Sequence, residues 1–336
     1  MKNSTRAKLN AFASHLATLN GVSSVSNTFT VAPSVAQTML DRIRESAEFL
    51  NEINYVGVDE LKGDKLFFDV ARPIAGRVDT AATDRDPSEV HGLTRDGYEC
   101  WETQFDAALN YSTLDTWAKF PDFQLRVRNG INAQIARDQL MIGWNGTSRA
   151  VTTNRATNTL LQDVNTGWLH KIRTHAPQRV LSSLKIGDQA GADFKNLDAA
   201  VQALTSTCID DWHQTPALRV ICGSALVDEK YLALTNRANT PTEIEALNNI
   251  SLSKLIGGHL AKVVPYFKSR SLLLTPTKNL SIYTQTGSIR RFVVEQPQRS
   301  RMAFFNSMNT DYVVEDYGAA ALIDTILVPD GAGGWH

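Results

Sequence analysis

Apolar residues near the N-terminus recur at helical spacing. Ala11, Phe12, Leu16 and Leu19 mark one face of a short amphipathic helix that stops at Asn20-Gly21. Val35, Met39, Ile43, Phe49 and Leu50 mark a second helix after Pro33-Ser34. Between them, Gly21 to Thr30 (GVSSVSNTFT) is small, hydroxyl-rich and uncharged, which predicts an exposed strand or loop that a protease can enter. From Asp59 to Asn110 the pattern turns extended. Lys65 to Val70 forms one run and Tyr98 to Leu109 another, with Trp101, Phe105, Ala107 and Leu109 on alternate-residue spacing. They flank a polar stretch, Arg77 to Gly97, too long for an ordinary connection, so the pattern predicts a long β-hairpin with a projecting tip.

The strongest helical pattern runs from Pro121 to Gly143, with Phe120, Phe123, Val127, Ile131, Ile135 and Ile142 on one face. At about 1.5 Å per residue this helix spans roughly 34 Å, enough for the spine of a domain. A Gly-rich joint, Gly187 to Gly191, separates it from a segment with α/β character. There Leu197 to Ile209 is expected to be helical, Leu218 to Cys222 (LRVIC) a buried strand, and Ala225 to Leu234 helical again. Val263 to Tyr266, Leu272 to Thr275, Leu280 to Tyr283 and Arg291 to Val294 are expected as short strands. Asp311 to Leu327 begins as a strand and closes back on the first half. The chain therefore reads as a two-domain α+β protein.

Composition narrows the classes. The 336 residues include 43% hydrophobic and 21% charged, with 34 Lys+Arg against 35 Asp+Glu. This excludes disordered, collagenous and disulfide-scaffold chains, and the net charge of −1 argues against a dedicated nucleic-acid reader. The 3 cysteines fit a reducing compartment. No run approaches the roughly 18 apolar residues of a membrane span, so synthesis in the cytoplasm is expected. The charge is uneven, however: Lys2, Arg6 and Lys8 face no acidic residue within 1–30. Such a basic arm is expected to meet an acidic partner.

Catalytic chemistry is hard to find. Cys208, Asp210, Asp211 and His213 lie within six residues but lack the second ligand pair of a zinc site. Gly223-Ser224-Ala225 lacks the nucleophile elbow and suits a helix N-cap. Gly257-Gly258 suits a turn better than a phosphate cradle, and no cofactor is expected. The pairs Arg126/Arg128, Arg290-Arg291 and Arg299/Arg301 suit interfaces ahead of nucleic acid. A cytoplasmic α/β enzyme working from the Leu218–Ser224 segment is the alternative reading, disfavoured by these missing motifs. Large projections without catalytic machinery favour assembly.

Several blocks carry a resemblance over nearly the whole chain. They are Phe29–Ser34 (FTVAPS), Thr113–Trp117 (TLDTW), Asp122–Arg128 (DFQLRVR), Gly143–Gly146 (GWNG), Leu161–Trp168 (LQDVNTGW), Val264–Phe267 (VPYF), Asn279–Tyr283 (NLSIY) and Tyr312–Tyr317 (YVVEDY). In this order they resemble the major capsid proteins of P2-like tailed phages, whose fold is that of the Hong Kong 97 capsid subunit. The resemblance implies a propeptide over 1–29, an N-arm over 30–58 and an extended loop over 59–112. It further implies a peripheral domain over 113–187, an axial domain over 188–284, and a return with a C-terminal tail over 285–336.

It also implies hexamers and pentamers closing an icosahedral shell around double-stranded DNA, built in the host cytoplasm and residing in the virion capsid. The implied partners are further copies, a scaffold protein, a maturation protease, a portal protein and non-specifically held DNA, with no membrane. The implied cleavage lies between Phe29 and Thr30, and the basic arm is expected to meet the scaffold. Phe67, Phe68, Trp101 and Phe105 are expected as hairpin contacts between subunits. The Lys–Asn cross-link known in part of the wider fold superfamily is not expected, because Arg77 to Gly97 contains no Lys.

Overall fold

The computed structural model describes residues 1–65, 69–70, 75, 77–80, 84, 91–92, 96–226, 255–329 and 334–335. The N-terminal part holds α1 (Asn3–Leu19), β1 (Phe29–Thr30), α2 (Pro33–Glu45), α3 (Glu48–Glu52) and β2 (Asn54–Val58). The hairpin follows as β3 (Lys62–Lys65), β4 (Asp69–Val70), β5 (His91–Gly92) and β6 (Asp96–Glu99). Next come β7 (Trp101–Gln104), β8 (Ala107–Asn110), α4 (Tyr111–Trp117), α5 (Phe123–Asn145), α6 (Trp168–His175), β9 (Val180–Leu181) and β10 (Leu184–Lys185). The C-terminal half contains α7 (Leu197–Cys208), β11 (Leu218–Cys222), β12 (Leu255–Ile256), β13 (His259–Val263), β14 (Leu272–Pro276) and β15 (Leu280–Gln285). It ends with β16 (Arg290–Gln296), β17 (Arg301–Val314), β18 (Ala321–Ile323) and β19 (Ile326–Leu327).

Two main sheets organise the molecule. In the seven-stranded sheet, β17 pairs with β16, β15, β7 and β8, while β1 and β2 extend it beyond β16 and β15. The helix α5 supplies the spine expected from its spacing, with Phe123, Val127, Ile135, Leu140 and Ile142 buried. Its C-terminal turns are buried all round, because α6 packs there as well.

The six-stranded sheet has the order β12-β13-β11-β14-β18-β9. Leu218, Val220, Cys222, Leu272 and Leu274 face the α7 core. Alternate residues Ile221, Leu273 and Leu322 join the core of the spine domain. Burial on both faces accounts for the continuous apolar runs of β11 and β14. The helix α7 starts where Asn196 caps it, accepting from the Ala199 N–H at 2.8 Å.

Two expectations need redrawing. The second hairpin run divides at Cys100: β6 pairs with β3 in the hairpin, whereas β7 and β8 pair with β17 in the body. The strand β17 starts at Arg301, ten residues before the expected Asp311. Strand pairing joins the expected units: β15, within 188–284, lies in the seven-stranded sheet, and β9 and β18, outside that range, lie in the six-stranded one. The helix expected from Ala225 to Leu234 falls mostly outside the described residues.

Candidate functional site

The end of α5 and the start of α6 meet backbone to backbone. A β-carbon on Gly146 would stand 2.1 Å from the Asn165 carbonyl, and one on Gly167 2.3 Å from the Ile142 carbonyl. Only glycine permits this approach, which the Gly167 N–H seals by donating to the Gly146 carbonyl at 3.0 Å. The contact brings the rings of Trp144 and Trp168 to 4.8 Å, edge to face. Trp144 meets Phe267 at 5.1 Å, and Trp168 meets Tyr312 at 5.4 Å. The Trp168 indole N–H donates to the Ser281 carbonyl at 3.0 Å. Five of the sequence blocks thus converge on one junction between the two sheets.

A second convergence fixes the root of the hairpin. Asp311 on β17 has a fully buried side chain that accepts from both the Glu99 N–H at 3.0 Å and the Lys171 ammonium at 2.8 Å. The Arg149 guanidinium reaches Asp311 at 3.4 Å, Glu99 at 3.1 Å and the Asn165 side-chain oxygen at 2.9 Å. It also lies over the Trp101 ring at 5.2 Å. Lys65 donates to the Val314 carbonyl, and Tyr98 packs on Tyr283 at 5.1 Å. The root of the hairpin is therefore tied directly to β17. Sequence reasoning missed Lys171, Arg149 and Asp311. The available signal was a carboxylate opening the apolar run Asp311 to Leu327, since a buried acid demands a cation.

The residues expected as hairpin contacts separate. Phe67 and Phe68 lie outside the described residues. Trp101 stands on β7, in the body rather than the hairpin, and is 46% exposed. Phe105 is buried in the core of its own subunit, where its N–H donates to the Asn306 carbonyl at 2.7 Å.

The N-terminal arm docks on the body. Leu9, Phe12 and Leu16 are buried, with Phe12 edge-on to Phe304 at 6.4 Å. The Arg6 guanidinium holds Glu295 through two hydrogen bonds, at 3.0 and 2.9 Å, and Tyr111 donates to the same carboxylate at 2.7 Å. Arg6 and Tyr111 hold the Glu295 carboxyl below its ordinary range. Asp115 accepts from the Thr5 hydroxyl at 2.6 Å and the Lys2 N–H at 2.9 Å, and both bonds lower its pKa too. Lys8 donates to the Ala118 carbonyl at 2.6 Å. Arg6 and Lys8, expected to meet a scaffold, are thus engaged within the subunit.

Gly21 to Thr30 is mostly exposed, as its composition predicts, with two exceptions. Val25 and Phe29 are buried anchors, and Phe29 and Thr30 pair with Arg291 and Arg290 on β16. The Cys208 to His213 cluster does not converge. Asp210 pairs with Arg179 and His213 with Asp316, each at 2.7 Å, while Cys208 is buried in the α7 core. Among the described residues, no His, Cys, Asp and Glu side chains gather in a group able to hold a metal ion.

This architecture is the Hong Kong 97-like capsid fold. A solved structure described as the satellite phage P4 procapsid including size determination (Sid) protein is 40% identical, with a TM-score of 0.80 over 98% of this chain and 99% of that one. The capsid of an empty GTA particle, 14% identical, shares the fold at a TM-score of 0.54 over 83% of this chain and 89% of that one. Residues 8–326 match the model of the phage major capsid protein, P2 family, and the chain belongs to that family. Among its relatives, the "Capsid proteins" of Escherichia phage P2 are 42% identical over 98% of this chain and 96% of theirs. The "Major capsid protein" of Serratia phage KSP20 is 35% identical over 99% of this chain and 100% of its own. The family is one of structural proteins.

Proposed function

We propose that this chain is a shell subunit that closes with copies of itself into hexamers and pentamers, first as a procapsid and then around phage double-stranded DNA. The observation that carries the reading is the rigid root of the hairpin, in which Asp311, Lys171, Arg149 and Glu99 lock β6 to β17. A projection fixed this firmly suits transmission of load between neighbours, and modest contacts repeated over a lattice sum to a stable shell. In this reading 30–58 is the N-arm, 59–112 the extended loop, 113–187 and 285–336 the peripheral domain, and 188–284 the axial domain. Scaffold, protease and portal partners complete the assembly, which proceeds in the host cytoplasm and ends in the virion capsid.

Residues 1–29 act as a propeptide cut between Phe29 and Thr30. Because β1 is paired and Phe29 buried, the cut requires β1 to leave β16 first. The docked arm therefore protects the bond until assembly releases it. Intact mass measurement of subunits from DNA-filled particles tests the cleavage. A chain starting at Thr30 is expected; full-length chains in filled particles would overturn the propeptide assignment.

A further inference from the structure

The six-stranded sheet carries two exposed features with complementary chemistry. The turn Asp211–His213, between α7 and β11, presents Trp212 with 85% of its surface exposed. This turn is firmly held. The Asp210 N–H donates to the Gly318 carbonyl at 3.2 Å, Arg179 pairs with Asp210, and His213 pairs with Asp316. Asp211 remains exposed, and its carboxylate accepts from Gln214 of the same turn at 3.2 Å. A solvent-facing indole carried on a held turn and flanked by a carboxylate is a knob whose backbone needs no further ordering on burial by a partner.

The side of the same sheet that runs from its β12 edge to β11 carries a matching patch. Leu255 and Leu260 are direct cross-strand partners, 41% and 45% exposed, and Arg219 stands opposite Leu260 in the same row. Arg219 donates to the carbonyls of Pro216 at 2.7 Å and Leu218 at 3.0 Å, and among the described residues no carboxylate pairs with it. The patch is thus two leucines beside a cation. It lies at the end of the sheet where β11 begins, and the Trp212 turn is tied at that same end to residues 316–318, which lead into β18. From β18 it is two strand spacings to Arg219 on β11, about 10 Å, and three to four to Leu260 and Leu255, about 14–19 Å at about 4.8 Å each, so the leucines stand apart from the turn within one subunit.

A knob and a complement on different parts of one subunit form a heterologous pair, which generates a ring when the rotation closes. We infer that Trp212 of one subunit packs on Leu255, Leu260 and Arg219 of the next copy, with Asp211 paired to Arg219. The indole face lies on the guanidinium, and the leucines close over its edge. The inference rests on the shell-subunit reading and adds the residues that join neighbours around each ring.

The full chain carrying both Trp212→Cys and Leu260→Cys, assembled into particles and treated with a short bismaleimide, tests this pairing. The native cysteines are buried and give little background. Denaturing gels are expected to show a ladder of covalent multimers ending at five and six subunits, with no ladder from either single variant. Monomers alone, or dimers from a single variant, would overturn it. In parallel, Asp211→Arg and Arg219→Asp are each expected to cut particle yield at least tenfold with unchanged circular dichroism, and the double reversal to restore it. Should the unaltered chain form no particles, the shell reading falls and this inference with it. Should it form them while the reversed variants assemble equally well, this inference alone falls.

Discussion

Trp168 lays its indole against the bare α-carbon of Gly143, where an added β-carbon would stand 2.3 Å from the ring. The same helix carries Gly130, whose added β-carbon would meet nothing within 4 Å. The pair separates packing from helix propensity. Gly143→Ala is expected to lower stability by about 1–3 kcal/mol, through overpacking of the junction. Gly130→Ala is expected to raise it by about 0.5–1 kcal/mol, because alanine is the better helix former. Urea denaturation of the two variants beside the parent checks both signs.

The root of the hairpin depends on a buried charge. Lys171→Met leaves Asp311 with only the longer Arg149 contact for charge compensation, and is expected to cost about 3 kcal/mol. Adding Asp311→Asn removes the stranded charge, so the double variant is expected to lose less than the single one. A double-mutant cycle by chemical denaturation measures this; strictly additive losses would exclude the coupling.

Acid is expected to loosen the arm. Glu295 and Asp115 are both held below their ordinary values by contacts with α1 and its N-terminal residues. A carboxylate whose pKa is lowered by docking stabilises the docked state above its ordinary range, and this contribution is lost as pH falls through the lowered value. Cleavage of residues 21–30 by an acid-active protease is therefore expected to accelerate below about pH 4, where ordinary carboxylates protonate. Glu295→Gln, which mimics the protonated carboxyl at every pH, is expected to raise cleavage at neutral pH and to weaken its acid acceleration.

The thiols are expected to be silent in the folded chain. Cys100, Cys208 and Cys222 are buried, and burial pushes Cys100 and Cys222 up to about 12. Ellman's reagent at pH 8 is expected to label none of them until denaturant is added.

Local pattern made much of this fold legible. The periodicities of α1, α5, α7 and β11 arise from burial of one face or a short apolar run, and each is found within a few residues of its expected span. The first half of β17 was not legible because Asn306 and Thr310 occupy buried positions where an apolar residue is the usual signal. Asn306 is satisfied from afar, donating to the Phe105 carbonyl at 3.1 Å and accepting from Arg291 at 2.9 Å. The ion pairs of the hairpin root are equally non-local: Lys171 and Asp311 lie 140 positions apart. The two anchors within the otherwise exposed arm, Val25 and Phe29, are equally hard to single out, because each is one apolar residue in an uncharged, hydroxyl-rich stretch.

The central claim is that copies of this chain close into a shell. Negative-stain electron microscopy of the purified full-length protein, with light scattering at high concentration, tests it most directly. Closed shells, tubes or ring-shaped capsomers are predicted. A compact monomer or dimer that persists at every concentration would contradict it.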